Sequence, residues 1–261
     1  MTLSHFFSSV SNLKNLPSLS WKPTGRLQRT LSSSTSRSGT GLHSGRSTTA
    51  KLYPAMAGEG RYFVTRHGEI PASIEFVEES ALCTTVSRDG ATVRTVEHLL
   101  SALEATGVDN CRIHIEGGDE VPLLDGSARQ WVEAIEQVGL RVAKDGNGNT
   151  MDKLAPVLHK PVHVWKGDAF IAASPSSRVP AIGCQWFSCS PMDENVYAKE
   201  ISPSRTFCIF EEVGKLFKAG IIQGGSAANA SVCRYKKKGF GISSAKSFEQ
   251  TCSGRKYYLP V

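Results

Sequence analysis

Two amphipathic segments, each followed by a glycine, limit the folds open to this chain. The first covers residues 96–106, where apolar side chains recur at i, i+3, i+4 and i+7, and Gly107 follows it. The second follows Asp125-Gly126-Ser127, carries an apolar stripe from Ala128 to Val138, and meets Gly139. Residues 111–115 alternate between apolar and polar, as in a strand. We therefore expect two helices with a strand between them.

Further segments are typical of short strands and turns. Thr95 is the predicted N-cap of the first helix, and Ser127 belongs to the cap of the second. Asp89-Gly90 predicts a hairpin turn between two strands. Gly41-Leu42-His43-Ser44-Gly45 is a predicted turn with a histidine at its centre. The other predicted strands are residues 48–53, 61–65, 82–86, 91–94, 157–165, 169–173 and 181–187, with a helix over 211–218.

This order of elements predicts a mixed α+β protein. The simplest reading is two similar domains, each with a small sheet and two helices, the second of them incomplete. The first domain covers residues 28–140 and contains Glu97 and His98. A polar linker follows over residues 141–155, and a partial second domain covers 156–232. Residues 233–261 form a divergent basic tail.

Charge is distributed unevenly along the chain. Residues 1–50 hold six Lys or Arg and no acid, whereas 51–232 hold 17 basic and 23 acidic residues. An acidic folded body argues against nucleic acid as the main partner, because a binding face needs basic residues organised on the folded surface. Lys236-Lys237-Lys238 is more typical of a solvated charge run than of a phosphate-binding patch.

The beginning of the chain has the composition of an organellar leader. It is rich in serine, contains spaced Lys and Arg, and has no acid before Glu59. We predict a transit peptide over residues 1–27 and a mitochondrial location, with the chloroplast as the alternative. No run approaches the roughly 20 apolar residues of a transmembrane helix. The seven cysteines are scattered without a Cys-x-x-Cys pair, which predicts core thiols rather than disulfides or a cysteine zinc site.

Few residues point to chemistry by themselves. Glu97 and His98 lie in the first helical turn, where one side chain can bind a metal while the other faces its bound water, although a surface pair is the simpler reading. Thr206 can donate to an oxyanion or can be a core threonine. Gly224-Gly225-Ser226 permits close backbone approach to a ligand or is simply a turn.

The remaining histidines make poor metal ligands. His159 and His163 lie about 13 Å apart if they share one face of a strand, too far to bind one ion. His114 lies on the polar side of its predicted strand. All three are therefore predicted to be surface residues.

Taken together, these segments resemble the UDP-3-O-acyl-N-acetylglucosamine deacetylase family, the zinc amidohydrolases of lipid A biosynthesis. The resemblance is collinear over about residues 28–230. The motifs that carry it are Gln28-Arg29-Thr30-Leu31, Gly41-Leu42-His43-Ser44-Gly45, Leu82-Cys83-Thr84, Thr95-Val96-Glu97-His98-Leu99, Gly107-Val108-Asp109-Asn110, Pro122-Leu123-Leu124-Asp125-Gly126-Ser127-Ala128, Ser204-Arg205-Thr206-Phe207 and Gly224-Gly225-Ser226.

The resemblance implies roles for individual residues in an organelle-targeted hydrolase of lipid metabolism. It implies that His98 is a Zn²⁺ ligand, that Glu97 is the general base and that Thr206 stabilises the oxyanion. It also implies that the substrate is a UDP-linked acylated glucosamine. It places His43 and Ser226 among the substrate-binding residues. It also implies an apolar passage for the acyl chain, lined by Phe207, Ile209, Val213, Leu216 and Phe217.

The chain departs from the family pattern after Ser226. The family carries two more zinc ligands, a histidine and an aspartate, on a helix of its second domain, and a further histidine downstream. Here no histidine follows His163, and Glu249 is the only acid after Glu212. Three interpretations stay open. They are an active deacetylase with ligands from elsewhere, an inactive isoform or paralogue that binds substrate or a homologue, and a basic-tailed protein that binds anionic lipid or RNA.

The leader prediction has a direct test. We expect residues 1–30 fused to a fluorescent protein to direct it to mitochondria, because spaced cations without acids are typical of such leaders. Fluorescence microscopy with an organelle marker reads out the location. The same fusion with Lys14, Lys22, Arg26 and Arg29 changed to Gln is the control. A cytosolic signal from the unmodified fusion would contradict the prediction.

Overall fold

A computed structural model describes residues 19–167, 169–173 and 196–233. The predicted strand 181–187, the run Lys236-Lys237-Lys238, residues 1–18 of the predicted leader and residues 234–261 of the predicted tail lie outside the described residues. The strands are β1 Leu19–Leu27, β2 Arg29–Leu31, β3 Thr35–Thr40, β4 Ser47–Pro54, β5 Arg61–Thr65, β6 Gly68–Pro71, β7 Val77–Glu78, β8 Thr85–Arg88, β9 Ala91–Arg94, β10 Cys111–Glu116, β11 Leu140–Val142, β12 Asp152–Leu158, β13 Val162–Lys166, β14 Ala169–Ala173, β15 Phe207–Ile209 and β16 Ser231–Cys233. The α-helices are α1 Glu97–Ala105, α2 Arg129–Val138 and α3 Phe210–Lys218.

A five-stranded sheet with the order β3-β4-β10-β5-β6 forms one layer of the structure. β10 is antiparallel to β4 and parallel to β5. Its alternation buries Cys111, Ile113 and Ile115 and turns Arg112 and Glu116 to solvent, as the sequence pattern predicts.

A three-stranded sheet, β7-β8-β9, packs beside the β5-β6 edge of the larger sheet. Its hairpin turns at Asp89 and Gly90, whose φ values of 50° and 83° both lie in the left-handed region. The predicted hairpin is therefore confirmed, with the two positive φ angles that a type I′ turn requires.

The core lies where the two sheets meet the helices α1 and α2. The predicted apolar stripes are confirmed, since Leu99 and Leu103 of α1 and Trp131 and Ile135 of α2 are buried. Gly107 and Gly139 follow the helices with φ of 75° and 68°, as expected for glycines beyond helix ends.

Two details of the helix prediction change. Thr95 does not cap α1, because its hydroxyl donates instead to Glu120 and the cap position is Val96. Ser127 does assist α2, since its hydroxyl accepts a hydrogen bond from the Arg129 N–H at 3.2 Å.

The strand boundaries also differ from the prediction. Residues 157–165 divide into β12, which pairs with β1, and β13, which pairs with β14. The segment 141–155, predicted as a linker, begins in β11 and ends in β12 because both strands find partners near the beginning of the chain. Its turn at Asp145 is present, with the carboxylate accepting from the N–H groups of Asn147 and Asn149. Residues 19–27, predicted as the end of the leader, form β1.

Residues 196–233 again contact the preceding part of the structure. The π-helical turn Tyr197–Ile201 inserts Tyr197 into the core, where its hydroxyl lies 2.6 Å from Ser101 Oγ. After it come β15, α3 and β16, with β15 and β16 parallel. The mixed α+β class is thus confirmed. None of the helices in the described ranges has the length and apolarity needed to cross a membrane.

The burial pattern of β10 predicts the effect of a substitution. We expect Ile113→Ala to lower the free energy of unfolding by about 2–5 kcal/mol, because it leaves a cavity in a fully buried site. Arg112→Ala, on the solvent face of the same strand, should cost less than about 1 kcal/mol. Urea unfolding followed by circular dichroism measures both, and equal losses would contradict the assigned register.

Candidate active site

The site is built around the turn between β3 and β4. Gly41 N–H donates to Arg46 O and Gly45 N–H to Gly41 O, which closes the predicted turn and places His43 at its centre. His43 is 9% exposed, so this residue points inward from the turn, whereas Gly45 and Arg46 are exposed.

A fully buried carboxylate, Glu120, holds this turn. Its Oε1 accepts from the backbone N–H of His43 at 2.9 Å, and its Oε2 accepts from the N–H and hydroxyl of Ser44. Thr95 Oγ1 donates to Oε1 at 3.1 Å. Four donors thus compensate the desolvation of one buried charge.

Thr95 has an unusual backbone conformation. Its φ is 59°, which is rare for a β-branched residue and costs free energy unless surrounding contacts hold it. The hydrogen bond to Glu120 supplies such a contact. Because Thr95 immediately precedes the turn into α1, this conformation sets the direction in which Glu97 and His98 leave the sheet.

Glu97 and His98 occupy the first turn of α1, as predicted, and both are partly buried. The Glu97 carboxylate accepts a hydrogen bond from the Thr84 N–H at 3.0 Å through Oε2. One carboxylate oxygen therefore has a fixed backbone partner, which orients the side chain.

The His43 ring is oriented by a backbone carbonyl. Its Nδ1 lies 2.9 Å from Ile221 O, and because a carbonyl only accepts, Nδ1 carries the proton. Nε2 is buried without a hydrogen-bond partner among the described residues. The neighbouring Cys83 side chain raises the pKa of His43, more than burial lowers it, and the Ile221 carbonyl and Glu120 add to the increase.

Cys83 shows the reciprocal effect. Burial by itself raises the pKa of the Cys83 thiol, but its polar surroundings, with His43 as the largest lowering influence, outweigh burial and lower it to about 7. The other lowering contributions come from Thr85, the Thr95 backbone and Ser80. The segment 82–84 thus contributes a polar thiol as well as the N–H that holds Glu97.

The segment after residue 204 is hydrogen-bonded to the loop at Asp125 and Gly126. Arg205 Nε donates to Asp125 O at 2.6 Å, and the Thr206 N–H donates to Gly126 O at 2.7 Å. A side chain at Gly126, where φ is 82°, would collide with Asn229 O. The motif around Asp125 thus fixes the position of Thr206 through backbone hydrogen bonds.

Gly224, like Gly126, lies too close to another backbone segment to carry a side chain. Its N–H and that of Gln223 donate to Leu42 O, and a Cβ at Gly224 would collide with Gly41 O. The backbone that Gly224 approaches closely is therefore that of the His43 turn, and the approach of Gly224-Gly225-Ser226 to a ligand stays a prediction.

An apolar cavity of about 410 Å³ opens between these segments. Leu42 and Leu82, the residues before His43 and Cys83, form part of its wall, and α3 and β15 form another part. Thr206 and Ser226 line this cavity. So do all the residues that the resemblance places along an acyl passage, namely Phe207, Ile209, Val213, Leu216 and Phe217.

The structure brings some predicted site residues together and leaves others apart. Thr206, Phe207, Ile209, Val213 and Ser226 share the cavity wall, whereas His43, Glu97 and His98 are not part of that wall. His43 is joined to it through the adjacent Leu42, and Glu97 through its hydrogen bond to Thr84, two residues after Leu82. His159 and His163 are exposed, as predicted.

His98 has no complete set of metal ligands around it in the described ranges. They contain no group of three His, Cys, Asp or Glu side chains placed to hold a metal ion. The expected zinc site therefore does not fit the described residues.

Comparison with known proteins settles the family. The family model described as UDP-3-O-acyl N-acetylglycosamine deacetylase (LpxC) matches residues 28–241. This chain belongs to the LpxC family. The resemblance carried by the sequence motifs is thereby confirmed, and this LpxC-family chain is a member of a family of deacetylase enzymes.

Relatives extend the match over most of the chain. A protein of Arabidopsis thaliana named probable UDP-3-O-acyl-N-acetylglucosamine deacetylase 1, mitochondrial, is 50% identical over 240 residues, which cover 85% of this LpxC-family chain and 74% of the relative. The UDP-3-O-acyl-N-acetylglucosamine deacetylase of Trichormus variabilis is 44% identical over 222 residues, covering 79% of this chain and 78% of the relative.

Sequence reasoning missed two residues of the site. Glu120 was not singled out, although an acid directly before the apolar run Val121-Pro122-Leu123 was a usable signal. Most of the cysteines were predicted to be core thiols, and Cys83 was not set apart from them. Cys111 is buried, whereas Cys83 is only partly buried and His43 helps to lower its pKa.

The Glu120 cluster predicts a strong effect on stability. We expect Glu120→Gln to lower the free energy of unfolding by about 3 kcal/mol, because the amide nitrogen replaces one acceptor oxygen and faces donors. Asp119→Asn is the matched control, since its half-exposed carboxylate only pairs with Arg94 at 3.7 Å and should cost less than about 1 kcal/mol. Urea unfolding compares them, and a Glu120→Gln variant as stable as the control would refute the assigned network.

Proposed function

We propose that this chain is a UDP-3-O-acyl-N-acetylglucosamine deacetylase that hydrolyses the acetamide of its substrate and releases acetate. The observation that carries the proposal is the apolar cavity, which begins at Thr206 and continues along α3. An acylated sugar nucleotide needs an apolar site for its acyl chain next to polar groups for the amide. The family membership supplies the reaction class.

The residues around the cavity take complementary roles in this proposal. Phe207, Ile209 and Val213 bind the acyl chain by burying its apolar surface. Ser226 contributes a hydroxyl and backbone at the cavity wall. His43, held inward by its turn, binds the polar part of the substrate.

Glu97 and Thr206 act on the amide. The Glu97 carboxylate, oriented by the Thr84 N–H, takes a proton from the attacking water as general base. Thr206, fixed by backbone hydrogen bonds at its N–H and carbonyl, donates its hydroxyl to the developing oxyanion.

We propose zinc as the cofactor and His98 as a ligand, and the described residues do not complete that site. A catalytic zinc site has three protein ligands. His98 is one candidate, and no group of three accompanies it in the described ranges. Further ligands would have to come from outside these residues or from a second chain.

A second candidate function follows from the same incomplete ligand set. The cavity and the hydrogen bond that orients Glu97 are present, and the described residues place no ligand cluster around His98, a combination suited to binding without hydrolysis. The alternative is therefore a catalytically inactive isoform that binds the acylated substrate or an intact homologue and regulates the pathway.

Location and pathway extend the proposal. Because Arabidopsis relatives are named mitochondrial, we propose a mitochondrial location, with the chloroplast as the alternative. The leader over residues 1–27 would direct it there. Lipid A biosynthesis is the proposed pathway, since it uses the substrate named in those relatives.

Binding and hydrolysis can be measured separately. We expect the full chain to bind UDP-3-O-acyl-N-acetylglucosamine by calorimetry and to release acetate when zinc is supplied. His98→Gln should abolish acetate release and zinc binding but leave substrate binding within about twofold. His163→Gln, a substitution at an exposed histidine, is the matched control.

Each result separates the two candidates. Acetate release that requires zinc and His98 supports the deacetylase. Substrate binding with no release at any zinc concentration supports the inactive binding protein. Absence of both overturns the proposal in either form.

The cavity predicts a further effect on acyl binding. We expect Val213→Trp to weaken substrate binding by at least tenfold, because indole fills the passage that Val213 lines. Lys215→Trp places the same side chain on an exposed position of α3 and should change the affinity less than about twofold. Calorimetry with the acylated and the deacylated sugar nucleotide checks this, and a loss shared by both ligands would refute a role in acyl binding.

A further inference from the structure

A groove of about 250 Å³ lies at the end of β4 that is remote from the His43 turn. Its walls come from β2, the loop after β4, β5, β10, β11 and the residues after β11. At about 3.3 Å per residue, the two ends of β4 lie about 23 Å apart. The groove shares no lining residue with the apolar cavity, so it is separate from the candidate active site.

Cations dominate the charged lining of this groove. Arg112, Arg141 and Lys144 all line it and all are exposed. None of them forms an ion pair with another residue in the part of the chain that the structure describes. The acid of the lining is Glu59, and its Oε2 already accepts a hydrogen bond from the Met56 N–H at 2.7 Å. Three cations against one acid make the groove attractive to an anion.

The two guanidinium groups are held by contacts that leave their charges uncompensated. Arg141 Nε donates to Leu31 O at 3.4 Å. The Arg112 guanidinium lies over the Tyr53 ring, 5.2 Å from its centroid, and that ring packs edge-on against His114. A guanidinium is a planar fork of N–H donors that matches the oxygens of a phosphate. Both arginines therefore keep donors for a ligand.

Hydrogen bonds between the walls fix the shape of the groove. The Ala57 N–H donates to Lys144 O at 3.1 Å, and the Ala55 N–H donates to Thr30 Oγ1 at 2.9 Å. Tyr62 also lines the groove, and its hydroxyl is a possible donor. Because the backbone walls are joined before a ligand arrives, binding orders side chains more than loops.

We propose that the groove at Arg112, Arg141 and Lys144 binds the phosphate group of a ligand. The two guanidinium groups donate to the phosphate oxygens, and the Lys144 ammonium adds a third positive charge. The phosphate belongs either to a soluble phosphorylated molecule or to a lipid headgroup. The site is independent of the proposed deacetylase reaction, because no residue assigned to that reaction lines the groove.

The first measurement locates the bound anion on the full chain. Phenylglyoxal modifies accessible arginines, and peptide mass spectrometry reads the modification of each one with and without inorganic pyrophosphate. We expect pyrophosphate to protect Arg112 and Arg141 several-fold. Arg26 and Arg66 are exposed arginines outside the groove and serve as internal controls. Equal protection of all four arginines, or protection of none, would overturn the proposal.

The second measurement removes the donors. We expect the double variant Arg112→Gln, Arg141→Gln to bind pyrophosphate at least about tenfold more weakly by calorimetry, because charge-assisted hydrogen bonds are lost. The double variant Arg26→Gln, Arg66→Gln removes the same net charge and should change the affinity less than about twofold.

Circular dichroism checks that both double variants are folded. Lys144→Gln is a milder variant, since its side chain makes no hydrogen bond or ion pair to the described residues, and it should weaken binding about threefold or more. Groove variants that bind pyrophosphate as tightly as the control variant would contradict the assigned site.

The third measurement separates the two sources of phosphate. Sedimentation with phosphatidylcholine vesicles, with and without phosphatidic acid, measures binding to a lipid headgroup. Binding that requires phosphatidic acid, and that Arg112→Gln, Arg141→Gln loses, supports the groove as a headgroup site. Pyrophosphate binding at the groove without vesicle binding supports a soluble phosphorylated ligand. Failure of the unmodified chain to bind either probe would overturn the proposal.

Discussion

The buried carboxylate of Glu120 is the interaction on which the rest of the site depends. One side chain without solvent exposure accepts hydrogen bonds from two backbone N–H groups and two hydroxyls. A buried charge is tolerated only when such donors compensate its desolvation. Through these four bonds Glu120 links the His43 turn to Thr95, and so couples the sheet to the start of α1.

This coupling explains why strain is found next to the candidate base. Thr95 holds a left-handed backbone conformation that a β-branched residue rarely adopts. The hydrogen bond to Glu120 helps to hold it there, and Glu97 follows two residues later. The same turn that Glu120 fixes from one side also receives residues 221–224 from the other. The position of the cavity therefore depends on a polar contact that is not itself part of its wall.

Local patterns predicted most of the first part of the fold. The stripe in α2, the alternation of β10 and the Asp89-Gly90 hairpin depend on periodicity and turn chemistry, which neighbouring residues specify. The pairing of β11 and β12, which include both ends of the segment 141–155 predicted as a linker, was not foreseen, because their partner strands lie more than 100 residues earlier in the chain. A pairing of that separation leaves no mark in a local window. The N-cap prediction for Thr95 was wrong for a related reason, since a distant carboxylate competes for its hydroxyl.

The sequence by itself determined the family and the two helices, and the family resemblance named residues that line the apolar cavity, because motif order and spacing are properties of the chain alone. It also showed that the expected histidine and aspartate ligands are missing after Ser226. Only the tertiary structure decided that Glu120 is buried beneath the His43 turn and that the pKa of the Cys83 thiol is lowered to about 7. Burial and the pKa of a thiol depend on which distant groups surround it, and those distances come from the packing of the folded chain.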